Sequence, residues 1–153
     1  MDIQDQSAVG RLMEVMRQLR RTQLNKISFE GYNASMLRVL FLLGRGCGQH
    51  PEGMTVSEIS SRMEVTPPTV TPLIKSLEAE GLILRVNDQE DRRVVRVLLT
   101  EEGQALRKRA MEMSLDRMKR ISEHLGQEKT EQLAGLLEEV VDYLNHRDGQ
   151  KTE

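Results

Sequence analysis

Apolar positions along the chain fall first at helical spacing. Val9, Leu12, Met16 and Leu19 recur three and four residues apart and predict an amphipathic helix over roughly residues 7–25. "SFEGYN" (28–33) interrupts it, and Asn33 stands where a side chain can cap a second helix. Met36, Leu37, Leu40, Phe41 and Leu43 give that helix a broad apolar face, and "GRGCGQHPEG" (44–53) reads as the loop that ends it. "TVSE" (55–58) is a capping box: the Thr55 hydroxyl can accept from the Glu58 amide while Glu58 reaches back. A short helix follows, with Val56, Ile59 and Met63 inward. After the break "EVT" (64–66), Thr66 is placed to cap a further helix, and Pro67 occupies a first-turn position where an amide has no partner. Val70, Leu73, Ile74 and Leu77 form its buried stripe; Gly81 stops it, with Leu82 completing the hydrophobic contact of the cap.

The pattern then changes. "LILRV" (82–86) and "VVRVLL" (94–99) are rich in branched apolar residues and flank seven polar ones, which predicts two antiparallel strands of a hairpin. Thr100 caps a long helix of about 25 residues, roughly 37 Å, with Glu101 and Glu102 in its first turn, the charge a helix N-terminus favours. Leu106, Ala110, Met113, Met118, Ile121 and Leu125 carry its apolar side; Gly126 ends it. Leu133, Leu136, Leu137, Val140, Val141 and Leu144 mark a last helix.

Two short helices joined by a tight turn and followed by a hairpin predict a winged helix-turn-helix. The fold class is mainly α with a two-stranded β-wing, and the N- and C-terminal helices form a dimerisation region. The expected division is 1–32 (dimerisation helix and linker), 33–100 (winged helix) and 101–153 (dimerisation helices). A B-DNA major groove about 12 Å wide admits one helix, so the side of the 66–80 helix opposite its stripe is the candidate reading face. Thr66, Pro68, Thr69, Thr71, Lys75 and Ser76 belong to that helix's candidate DNA contacts. Threonine can bond phosphate or base and its methyl can touch thymine; Lys75 suits a phosphate or guanine. Pro72 falls inside the helix, where an undistorted backbone would lose about 3 kcal/mol. A kinked or shifted first turn is therefore expected, with regular helix mainly from Thr69 or Thr71.

Composition narrows the class. Aromatic residues are 3% and tryptophan is absent, which disfavours a stacking platform for single strands. Net charge is −2, but unevenly spread: residues 1–45 hold seven basic side chains against four acidic, and residues 126–153 three against seven. The single cysteine, Cys47, excludes an internal disulfide and any two-thiolate metal site. His50, His124 and His146 are scattered without metal-ligand spacing, and no cofactor motif, phosphate loop or Ser-His-Asp set is visible, so no enzyme is expected. The longest apolar run is too short to cross a bilayer and "MDIQDQS" is no signal peptide, which reads as a reduced cytoplasmic protein.

Asp91-Arg92-Arg93 through Leu99-Thr100-Glu101-Glu102-Gly103 fits the pattern D-x-R-x5-L-T-x-x-G. With "VTPPTVTPLIKSLEAEGLI" (65–83) before it, and the order of helices around one hairpin, the chain resembles the MarR-type transcriptional regulators over most of its length. The resemblance implies a homodimer on a pseudo-palindromic operator of double-stranded DNA. It also implies that Arg93 enters or lines the minor groove, oriented by Asp91, with Arg92 and Arg96 as phosphate partners. A narrow minor groove concentrates negative potential, where guanidinium groups sit favourably. Many relatives carry a basic or polar residue where Pro72 stands, so specificity here shifts toward thymine methyls, Lys75 and DNA shape. Relatives often bind small aromatic or lipophilic effectors that loosen the grip on DNA; Met13, Met16, Met113 and Met118 suit a deformable pocket. The expected function is a sequence-specific regulator, a repressor released by such an effector. Two alternatives stay open: a winged-helix adaptor that binds protein and not DNA, and a redox regulator working through Cys47, whose neighbours Arg45 and His50 can lower a thiol pKa.

Overall fold

The computed structural model describes residues 7–22, 28–46 and 51–149, with the side chains of 147–149 left aside. The elements run α1 (Ala8–Arg21), α2 (Ala34–Gly46), β1 (Met54–Thr55), α3 (Val56–Met63), α4 (Pro67–Ala79), β2 (Ile83–Asn87), β3 (Val95–Leu99), α5 (Glu101–Leu125) and α6 (Gln127–Gly149). The protein is mainly helical with one small antiparallel sheet, and it divides into two compact units, Met1–Ala110 and Met111–Glu153.

The core lies in the first unit. Leu37, Val39 and Leu40 of α2, Ile59 of α3, Val70, Ile74 and Leu77 of α4, and Val97 of β3 are all within 1% of full burial. Leu106 and Ala110 of α5 close it from the far side of the chain. Each such aliphatic side chain contributes about 1.5–3 kcal/mol against exposure. The stripes expected for α3 and α4 are therefore the inward faces, and they orient both helices about one core.

Caps follow the residue chemistry. Asn33 Oδ1 accepts from the Met36 amide at 3.0 Å. The Thr55–Glu58 capping box is present in both directions: Thr55 Oγ1 accepts from the Glu58 amide (3.2 Å) and Glu58 Oε2 from the Thr55 amide (2.7 Å). At the end of α4, Gly81 at φ +72° lets its amide reach the Glu78 carbonyl and the Leu82 amide reach Leu77 (both 2.9 Å), the paired bonds of a Schellman cap. Thr100 Oγ1 accepts from the Gly103 amide at 3.0 Å and donates to the Gly81 carbonyl at 2.6 Å. A Cβ on Gly103 would stand 2.0 Å from the Leu82 carbonyl oxygen, so the close crossing of α5 over that strand start demands glycine.

Several expectations need correction. α1 ends at Arg21, short of residue 25, where the Thr22 amide and hydroxyl both donate to the Leu19 carbonyl. α2 continues through Gly44 to Gly46: the Arg107 side chain lies so close over Gly44 that a Cβ there would meet its Nε at 2.3 Å. The wing sheet has a third strand. Met54 and Thr55 pair with Val97 and Arg96, giving the order β1-β3-β2. Two residues carry no readable period. α4 is helical from Pro67 without a delayed start, although Pro72 sits inside it. Pro72 and Pro68 are solvent-exposed, so the carbonyl that loses its amide donor is on the wet side of the helix, where water can donate.

The second unit holds no buried side chain among its described residues; Met111, Leu115, Met118, Leu133, Leu136, Leu137, Val140, Val141 and Leu144 are 44–61% exposed. α1 is likewise without a buried residue, with Val9, Leu12, Met13, Val15, Met16 and Leu19 at 43–65%.

Candidate nucleic-acid interface

The turn between α3 and α4 is set by Glu64, which adopts a left-handed conformation at φ +58°. Its amide donates to the Ser61 carbonyl and the Val65 amide to the Ser60 carbonyl, both at 3.1 Å, closing the end of α3 before the chain re-enters helix at Pro67. Thr66 is the N-cap residue, but its hydroxyl does not bond an amide. Pro67 and Pro68 have no amides to offer, so the Thr69 amide goes to the Thr66 carbonyl at 2.9 Å, and the Thr66 and Thr69 hydroxyls bond each other at 3.1 Å. Thr66, Pro68, Thr69, Lys75 and Ser76 are exposed along α4. Thr71 is half-buried, and its hydroxyl donates to the Pro67 carbonyl at 3.0 Å.

The wing is built around two aspartates. Asp88 Oδ1 accepts from the amides of Glu90 (2.9 Å) and Asp91 (3.0 Å), while Oδ2 accepts from Arg96 Nε at 2.5 Å. The Asp91 amide, then the Arg96 guanidinium and the Glu90 amide, hold the Asp88 carboxyl down at about 2. Across the strand ends, the Asp88 amide donates to the Val94 carbonyl at 2.8 Å and the Val94 amide to Asp91 at 2.9 Å. Asp91 in turn grips Arg93: Oδ1 accepts from its Nε (3.1 Å) and its backbone amide (3.0 Å), and Oδ2 from Nη2 (3.3 Å). The guanidinium of Arg93 places the Asp91 carboxyl below the usual carboxylate range. The Arg93 side chain is nonetheless 92% exposed. Arg92, beside it, is also exposed.

Arg96 does not belong with them. Its side chain is only 19% exposed and lies between Asp88, the Gly53 carbonyl (3.1 Å) and, at 3.9 Å, Glu52 and Glu58. This guanidinium, expected from the resemblance to meet a phosphate, already meets three carboxylates, and its ordinary pKa is raised above all by the Asp88 hydrogen bond. Arg96 ties β3 to the wing loop and to the capping residue of α3. Asp88 organises the wing loop, and no expectation drawn from the sequence named it. Its signal was there: an Asp at the head of a polar run favours a side-chain bond to the amides two and three residues on.

A second clip fixes the linker before α2. Phe29 and Tyr32 pair around Glu30 and Gly31, both at positive φ. The Tyr32 hydroxyl donates to Glu80 at 2.5 Å, at the end of α4, and Arg109 of α5 forks onto Glu30 at 3.0 and 2.8 Å. Cys47 and His50 lie outside the described residues; among those described, no group of three or more His, Cys, Asp or Glu is placed to hold a metal. No described helix is long and apolar enough to cross a membrane.

A braced helix pair, a solvent-facing second helix and a hairpin tipped with two exposed arginines make this module a winged helix-turn-helix. Residues 34–95 match the model of the MarR family. Over 94 residues the chain is 33% identical to the homoprotocatechuate degradative operon repressor of Escherichia coli, covering 61% of this chain and 64% of that protein. It is 45% identical over 56 residues to the HTH-type transcriptional regulator TtmR of Methylorubrum extorquens, 37% of this chain and 29% of the relative. The chain thus spans less than two thirds of these curated relatives' lengths. Among solved structures, the YusO protein of Bacillus subtilis superposes with a TM-score of 0.68 at 28% identity, over 86% of this chain and 90% of that one. Over residues 34–95 the chain is thus similar to the MarR family, and its fold is shared with the YusO protein.

Proposed function

We propose that the protein is a sequence-specific double-stranded DNA-binding transcriptional regulator that acts as a homodimer. The observation that carries this reading is Arg93: a guanidinium almost fully exposed, yet held at the wing tip by two side-chain bonds to Asp91. An arginine kept for internal stability has no need to stand in solvent, and an exposed pair of this kind contributes little to folding. Its use is to meet an anion, and a minor groove offers the strongest field. The exposed face of α4 supplies the major-groove partner, and the names of the E. coli and M. extorquens relatives support the same reading.

Dimerisation rests on the apolar faces of α1 and α6, which a second copy can cover. Residues 1–32 and 101–153 serve that pairing, and 33–100 bind DNA. The named repressor among the relatives supports a repressing role, and the methionine-rich faces of α1 and α5 support its relief by a small aromatic or lipophilic effector. An effector acts only by binding two shapes of the dimer unequally.

Titrating salt against binding to a mixed-sequence duplex tests the DNA reading. Log affinity should fall with log salt by about 0.9 per phosphate neutralised. Arg93→Ala should weaken binding by about 1–3 kcal/mol. A winged-helix adaptor for protein partners would show neither effect.

A further inference from the structure

We infer that α4 reads pyrimidine C5-methyl groups in the major groove rather than guanine or adenine edges; this rests on the proposed DNA-binding reading. From Thr66 to Ser76 the helix carries no Arg, Asn or Gln, the side chains that fork onto guanine or adenine. Lys75 is its only cation. Beside Lys75 and Ser76, the exposed surface presents Thr66, Pro67, Pro68, Thr69 and Pro72, three pyrrolidine rings and two threonines.

The threonine hydroxyls are committed within the helix. Those of Thr66 and Thr69 bond each other, and that of Thr71 donates to the Pro67 carbonyl. The Thr71 proton and one of the two Thr66–Thr69 protons thus have partners before DNA arrives, and carbon is the larger part of what these side chains offer a base. The apolar feature of the major-groove floor is the C5-methyl of thymine. A 5-methylcytosine displays the same group at the same place. Proline rings also lose almost no side-chain entropy on contact, so a modest apolar match is retained nearly in full. Pro72 costs helix stability, and it stands on the solvent side where only an external surface can meet it.

The test uses the full chain and a duplex selected by it from a random pool, with affinity read by fluorescence anisotropy. Thymines of the selected half-sites are replaced singly by deoxyuridine, which removes the methyl and leaves the pairing edges intact. Each contacted methyl should cost about four-fold in affinity, from about 0.8 kcal/mol per buried carbon, and the same swap in the flanks should cost nothing. Exchanging a sensitive T·A pair for C·G should weaken binding, and 5-methylcytosine should recover part of that loss. Thr69→Ser and Pro68→Ala should shrink the deoxyuridine penalty, whereas Lys75→Ala should weaken binding to both duplexes equally. Selected DNA that binds equally well with every half-site thymine replaced overturns the inference and leaves the DNA-binding reading standing. A pool that yields no bound duplex overturns that reading instead.

Discussion

Asp88 and Arg96 stand eight positions apart in the chain yet share the shortest ion pair of the wing, at 2.5 Å. Asp91 and Arg93 were legible because they adjoin in a motif; Asp88 and Arg96 meet only through hairpin register, with Val86 opposite Arg96. The sequence shows the charge of Arg96 but not the three carboxylates that meet it. The depressed Asp88 carboxyl has a pH consequence. Ordinary aspartate titrates near 3.8 and this one near 2, so its contribution to the wing is full above 3.8 and is lost as pH falls through 2. An NMR titration of the Asp88 carboxyl should give a midpoint near 2, and a midpoint near 3.8 would refute the network. Gly103→Ala should destabilise by about 1–3 kcal/mol through forced movement of backbone, read as a lower urea midpoint; an unchanged midpoint would deny the close crossing with Leu82.

Among the elements, those with strong caps were readable from residues alone. Thr55 and Glu58 sit at fixed spacing, and α3 starts where they place it. Thr55→Ala should cost about 0.5–2 kcal/mol in thermal or urea unfolding. β1 left no signal, since its two residues take their structure from β3 across the sheet. α4 shows how local rules yield to context. Pro72 argued for a delayed helix, but an exposed site lets water serve the orphaned carbonyl, and the buried Val70, Ile74 and Leu77 hold the axis. Pro72→Ala should therefore raise stability by about 2 kcal/mol, the restored hydrogen bond outweighing the looser unfolded chain. A lower melting temperature would contradict that balance.

For the whole molecule, the periodic stripes announced helices before they announced partners. α1 and α6 satisfy the helical pattern, but the described side chains of both stay unburied within one chain. A pattern of spacing specifies which face is apolar and says nothing about which surface covers it. The proposed pairing of two copies would cover both faces at once. Sedimentation at micromolar concentration should give twice the 17.5 kDa chain mass, and Leu136→Glu with Val140→Glu should shift it to one. A wild-type particle of single mass would remove the dimer.

Selection of duplexes from a random pool, followed by footprinting of the winners, tests the central claim most directly. Two winged helices related by a two-fold axis predict paired, inverted half-sites with centres about 10 base pairs, or a multiple of that, apart. Protection should extend into the adjacent minor grooves where Arg93 reaches. Failure to enrich any sequence, or enrichment of a single unrepeated site, would contradict a symmetric DNA-reading dimer.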